Sequence, residues 1–236
     1  MFFDWTYVIL VLPAILLAMW ASANVNSTFR RYSTQYSRRG ITGAQAARRV
    51  LDANCLQQVR IERVSGHLTD HYDPRDNVIR LSDNVFGNTS TAAIGVACHE
   101  AGHAVQHAVK YVPIQIRSAI IPITNIGSRL SMPLILVGLL FSMYSPQMYY
   151  LVYAGIACFG LAAIFQLVTL PTEFNASRRA LAAIESGHLL YDEEIQGARK
   201  TLRAAALTYV AALAVSLTQL LRLLLLFGGN GRRRND

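Results

Sequence analysis

A chain of 236 residues that is 53% apolar and only 15% charged, with a positive mean hydropathy, falls well short of the roughly 25% charged content of soluble domains. This excludes an ordinary soluble enzyme and indicates a multi-pass membrane protein. The formal charge of +8 comes with no nucleic-acid motif, so it reports topology and lipid headgroups and excludes nucleic acid as a partner.

In chain order, Trp5 to Ala23 is the first apolar run, close to the roughly 20 residues that span a hydrocarbon core. A basic segment before it is missing, and Arg30, Arg31, Arg38 and Arg39 follow it. Residues 1–23 are therefore expected to be a retained transmembrane anchor with its N-terminus outside. Asn24 to Gly40 reads as a polar, basic linker. Thr42 caps a helix to about Asn54, Gln58 to Val64 alternates as a strand, and Gly66–Tyr72 with Asn77–Leu81 suggests a hairpin turned by Asp73-Pro74-Arg75-Asp76. These strands predict a short antiparallel sheet. Val78 to Leu81 is the candidate edge strand for an extended substrate, or else a strand that only covers the next helix.

A helix starting near Ser90 or Thr91 then carries Cys98-His99-Glu100-Ala101-Gly102-His103. Four residues apart, His99 and His103 lie about 40° apart on one helical face and about 6 Å apart along the axis, so two nitrogens can meet one metal ion. Glu100, beside the first histidine, can reach a water on that metal as general base. Cys98 points off that face and reads as a small buried thiol; with Cys55 and Cys158 it gives no disulfide framework. Residues 24–112 form the expected catalytic region.

Residues 113–170 read as an interfacial lead-in followed by a transmembrane hairpin: a short run, Leu130 to Tyr144, a turn at Ser145-Pro146-Gln147, and a return through Met148 to Leu170. Pro171 is expected to end that helix and Thr172 to cap another, which opens a cytoplasmic segment, 171–203, before a last membrane segment and basic tail, 204–236. Because the hairpin crosses twice, Glu173 returns to the side of His99 and His103. A catalytic zinc takes three protein ligands and leaves one position open, and Glu173 is the expected third. His107 sits about 6 Å beyond His103 along the axis, too far to share that ion. His67, His71 and His188 are single histidines without ligand spacing. Of the 22 Lys and Arg residues, 18 fall between the first and last spans, which makes that side cytoplasmic. The tail Arg232-Arg233-Arg234 then lies outside if Ala204 to Phe227 crosses fully, with Arg222 able to snorkel toward it; a re-entrant last segment is the alternative.

The stretches Gly66-x-Leu68-Thr69-Asp70-His71-Tyr72-Asp73-Pro74, Arg80-Leu81-Ser82, His99 to Gln106, Glu173 to Leu181 and Ala205 to Ala211 together resemble the YugP-type neutral zinc metallopeptidases, bacterial multi-pass membrane proteins similar in layout to the HtpX gluzincins. The resemblance implies one zinc ion on His99, His103 and Glu173, Glu100 as base, and a plasma (inner) membrane location with the active site facing the cytoplasm. It implies peptide or membrane-protein substrates and a place in membrane-protein quality control. HtpX-like enzymes carry an aspartate where this chain has Ser177, so anchoring of a ligand histidine falls to neutral groups such as Asn175 or Ser177. Arg178, His188, Tyr209 and His71 are open candidates for the oxyanion donor.

The expected fold is mainly α, a multi-pass membrane protein with a small α+β zincin-like catalytic domain whose short antiparallel sheet precedes the His99 helix. The expected activity is zinc-dependent endopeptidase. A site-2-type intramembrane protease would take its third ligand from a Leu-Asp-Gly element, which does not occur here. A non-catalytic zinc scaffold or chaperone would have no use for Glu100.

Overall fold

The computed structural model describes residues 4–228 and is mainly helical. A π-helical turn, Tyr7–Val11, leads into α1 (Leu12–Tyr32). There follow α2 (Gly43–Ala53), β1 (Arg60–Val64), β2 (His71–Asp73), β3 (Val78–Ser82), the short α3 (Asp83–Phe86), α4 (Thr91–Ala108), α5 (Val112–Phe141), α6 (Tyr149–Ser186) and α7 (Asp192–Phe227). The chain divides into two compact units. One comprises residues up to Trp20, Ile116–Leu170 and from Tyr209; the other comprises Ala21–Gln115 and Pro171–Thr208.

The first unit holds apolar helical segments. Among the described residues, four helices are long and apolar enough to cross a membrane: Tyr7–Tyr32, Val112–Phe141, Pro146–Ser186 and Asp192–Phe227. Many large side chains on them face outward, among them Leu16, Trp20, Leu136, Leu140, Leu167 and Leu225, as lipid-facing surfaces do. Close packing relies on small residues: a Cβ on Gly155 would lie 2.7 Å from the Ser131 carbonyl oxygen, so α5 and α6 meet backbone to backbone. Arg222 is buried. It turns to Asp4, 3.4 Å away, and lies over the Tyr7 ring at 5.3 Å. The Tyr149 hydroxyl donates to the Phe227 carbonyl at 3.0 Å. The start of α6, the end of α7 and the N-terminal approach to α1 thus share one end of this unit. The tail Arg232-Arg233-Arg234 lies outside the described residues.

The second unit packs α2, the sheet and α4 around one core that includes Leu51, Ile79, Leu81, Ile94, Ala97 and Ala101, joined by Ala180, Ile184 and Leu202. Local signals produce its helices. Thr42 accepts from the Gln45 amide while the Gln45 side chain accepts from the Thr42 amide, a capping box that starts α2. The Ser90 hydroxyl accepts from the Ala93 amide and starts α4.

Four expectations need correction. The sheet is mixed, in the order β1-β3-β2: β2 runs antiparallel to β3, but β1 pairs parallel with it. Val78 to Leu81 is therefore the central strand and not the edge. The reason is burial on both faces, since Val78, Ile79 and Leu81 are wholly inaccessible, whereas β1 and β2 are largely open; a strand covered on both sides belongs in the middle of a sheet. Residues 24–32 of the expected linker continue α1 as helix. Pro171 does not end a helix, because α6 passes through it unbroken. Proline's fixed φ suits a helix and its cost is the lost amide bond, which the burial of Thr172, Ala176, Ala180 and Ile184 on the following turns offsets.

Ile94 is fully buried on α4. Truncating it with Ile94→Ala is expected to cost about 2–5 kcal/mol, seen as a lowered unfolding midpoint of the detergent-solubilised protein. Thr42→Ala is expected to cost only about 1 kcal/mol.

Candidate metal centre

Helix α4 is almost entirely buried from Thr91 to Gln106, and it presents His99 and His103 on one face with their rings 4.7 Å apart, edge to face. Opposite them, α6 offers Glu173, 2% exposed. Glycine at position 102 makes this approach possible: a Cβ there would lie 2.9 Å from the Ala176 carbonyl oxygen, closer than real Cβ atoms come. Gly95 plays the same part against Ala198 of α7, where a Cβ would meet the backbone at 3.2 Å. The two small residues let α4 seat against both later helices.

The three expected ligands come together although 74 residues separate His99 from Glu173. Glu173 Oε2 is 3.2 Å from His99 Nε2 and 3.5 Å from His103 Nε2, and one ligand atom from each residue lies within 4.8 Å of the others. Around a tetrahedral zinc with bonds of about 2.0–2.2 Å, neighbouring ligand atoms stand about 3.3–3.6 Å apart. The two edges to Glu173 lie within about 0.1 Å of that span, and two imidazoles with one carboxylate are donors that zinc accepts. The residues present therefore fit such an ion.

The outward nitrogens of both imidazoles are engaged. Ser177 Oγ is 3.1 Å from His99 Nδ1, so of the two neutral candidates Asn175 and Ser177 it is Ser177 that meets His99. His103 Nδ1 is 3.0 Å from Gln106 Oε1. Gln106, wholly buried, in turn donates from Nε2 to the Thr172 carbonyl at 2.8 Å and to Asn175 Oδ1 at 3.0 Å. Arg179 Nε donates to the same Asn175 oxygen at 2.8 Å. Sequence reasoning assigned Gln106 no role. The available signal was its place three residues after His103, a polar amide on the ligand stripe of an Ala/Val-rich helix, but its partners on α6 are not legible locally.

Burial alone would push the His103 imidazole down, but the Glu173 carboxylate against it, with help from Glu100 and Gln106, carries it above its ordinary value. The site thus favours a positive charge at this point. Glu100 is 8% exposed and stands about 60° around the helix from His103. Burial pushes the Cys98 thiol up to about 12, which keeps it protonated, in accord with a packing role.

Three of the other four histidines have local partners. His107 packs against Tyr72 of β2, ring centroids 5.5 Å apart, and His67 against Phe29 at 5.6 Å. His71 Nδ1 is 2.8 Å from the Thr69 carbonyl. Of the candidate oxyanion donors, Arg178 and His188 are exposed, and Tyr209 belongs to the first unit.

Residues 7–228 match the family described as "Putative neutral zinc metallopeptidase". The chain belongs to this family. It is also 45% identical over 229 residues, 97% of its own length and 99% of the other's, to "Putative membrane protease YugP" of Bacillus subtilis (strain 168). No solved structure matches it.

Gly102→Val should force α6 away from α4 and weaken zinc binding about tenfold or more, comparable to losing a residue that orients a metal ligand. Glu173→Ala should leave the purified protein with far less than one zinc per chain. Both are read by metal analysis after dialysis against a weak chelator.

Proposed function

We propose that the chain is a membrane-bound, zinc-dependent endopeptidase of the gluzincin kind, with a zincin-like catalytic region in which His99, His103 and Glu173 hold the ion and Glu100 is the general base. The observation that carries this reading is the buried cluster of two imidazoles and one carboxylate, with edges of 3.2 and 3.5 Å, in a chain of a zinc metallopeptidase family.

When bound at such a site, zinc supplies polarisation of the scissile carbonyl and lowers the pKa of water. Glu100 takes a proton from the attacking water as the new C–O bond forms. It then gives that proton to the amide nitrogen as the C–N bond breaks. The neutral partners Ser177 and Gln106 keep both imidazole rings turned so that their Nε2 atoms face Glu173. For the substrate backbone we favour β2, since β3 is interior: β2 is an edge strand, and its Tyr72 packs against His107 of α4. An extended peptide added there would lie along the ligand helix.

The site is proposed to face the cytoplasm of a bacterial plasma membrane. The 18 Lys and Arg residues between the first and last spans support this, and the meeting of Asp4 with Arg222 and of Tyr149 with Phe227 supports full crossing by α7. Peptides or membrane proteins are the proposed substrates, and membrane-protein quality control is the proposed setting.

Glu100→Gln should lower cleavage of an unfolded membrane-protein substrate by about 10²-fold or more, as loss of a general base does, while zinc content stays at the wild-type level. Full cleavage by that variant would refute the mechanism. For orientation, Cys55 is exposed and should react with an impermeant maleimide only after the cells are permeabilised. A cysteine introduced by Gln147→Cys should react in intact cells.

A further inference from the structure

We infer that Gln106 is a positioning residue: this one side chain fixes the tautomer of His103 and anchors the turn of α6 that carries Glu173, and so aligns both halves of the metal centre. The inference rests on the metallopeptidase reading above and adds a residue to it.

The direction of the Gln106 amide follows from its neighbours. The Thr172 carbonyl, 2.8 Å from Nε2, can only accept a hydrogen bond, so the amide nitrogen must face α6. Asn175 gives the same answer independently. Its Oδ1 lies 2.8 Å from Arg179 Nε, and a guanidinium can only donate, which identifies that atom as the oxygen. The same oxygen is 3.0 Å from Gln106 Nε2. With both amide hydrogens directed at α6, Oε1 is the atom left facing His103 Nδ1 at 3.0 Å. An amide oxygen only accepts, so His103 Nδ1 carries the hydrogen. The free lone pair is then on Nε2, the atom 3.5 Å from Glu173 Oε2.

Each link in this chain is between groups whose roles cannot be exchanged, from the Arg179 guanidinium and the Thr172 carbonyl to the imidazole. His99 differs. Its partner is the Ser177 hydroxyl, which rotates and can donate or accept, so it steadies the ring without dictating the tautomer. Of the two ligand histidines, only His103 is wired to one protonation pattern.

Gln106 also acts on α6. Thr172 and Asn175 bracket Glu173 within one helical turn, and both are held by the same nitrogen. The buried amide leaves no slack: Gln106 is inaccessible to solvent and both of its N–H groups and its oxygen have partners. As a neutral acceptor it makes His103 a weaker electron donor than a carboxylate partner would.

The test uses full-length protein in detergent, with zinc affinity measured by competition with a chromophoric chelator and the ligand field read from cobalt(II) absorption. Gln106→Met removes acceptor and donor and should weaken zinc 10–100-fold, the range for lost orienting partners, and shift the cobalt bands. Gln106→Glu keeps an acceptor for His103, loses the donor to α6 and makes His103 a stronger electron donor, so it should shift the cobalt bands and bind zinc more tightly than Gln106→Met. Thr201→Val, which removes a buried hydroxyl that donates to the Gly197 carbonyl of its own helix, should move neither readout. Zinc affinity within threefold of wild type for Gln106→Met, with unchanged cobalt bands, would overturn the inference while wild-type zinc binding and cleavage leave the metallopeptidase reading intact. Should Gln106→Met not accumulate, Gln106→Glu decides alone: wild-type affinity and bands would overturn the inference. A wild-type protein that holds no zinc would overturn both.

Discussion

The contact on which the site depends is the backbone approach of α4 to α6 at Gly102. A side chain of any size there would meet the Ala176 carbonyl, and the neighbouring positions Ala101, Ala176 and Ala180 are small and wholly buried. The histidines project from α4 and the carboxylate from α6, so the separation of the two helix axes sets the separation of the donors. A spacing of 3.2–3.5 Å between donor atoms leaves room for a difference of only a few tenths of an ångström before an ion fits poorly. Close-packed helices hold that tolerance far better than loops could, because their positions are fixed by many contacts at once.

Electrostatics act in the same direction. Two carboxylates, Glu100 and Glu173, are buried near two imidazoles, and every other group bonded to the imidazoles is neutral. Burying Glu173 in this setting is tolerable only with positive charge beside it. The Glu173 carboxylate is itself the reason that His103 is carried above its ordinary value despite its burial. A divalent ion held by these residues would supply positive charge in the same place, and because protons compete for the same nitrogens its affinity would depend on pH. The Glu173 carboxylate stands 3.2 and 3.5 Å from the two imidazoles, close to the spacing between donors of a metal shell.

What was legible in the sequence divides according to how far the deciding interaction reaches. Signals closed within four residues held: the Thr42–Gln45 capping box, the Ser90 cap and the spacing of His99 and His103 all appear where their local chemistry places them. The turn at Asp73–Asp76 joined the right two strands, but the parallel partner of β3 lies across an intervening loop, and the turn had no bearing on it. Burial of both Val78 and Ile79, adjacent residues on opposite faces, was the mark of a central strand. At Pro171 a local rule lost to tertiary packing on the following turns. Gln106 was visible as a polar residue in an apolar helix, yet its function belongs to Thr172 and Asn175, some seventy positions away.

The join between His103 and Glu173 also bears on why a chain of this family would carry long apolar helices between the two residues. Closing a flexible loop of this length costs entropy that grows with the logarithm of the loop, whereas here almost all of the intervening chain is helix. α5, with 30 residues, rises about 45 Å, and α6 from Tyr149 to Glu173 rises about 36 Å. Each leg exceeds the roughly 30 Å of a hydrocarbon core. Where both legs cross a bilayer, as their length and apolar composition allow, the chain would come back to the side it left, and the crossing itself would do the closing. Lipid favours both legs as helices, because backbone amides there have no water to bond. In such a crossing the bilayer would favour the helical leg that carries Glu173 to its place against Gly102.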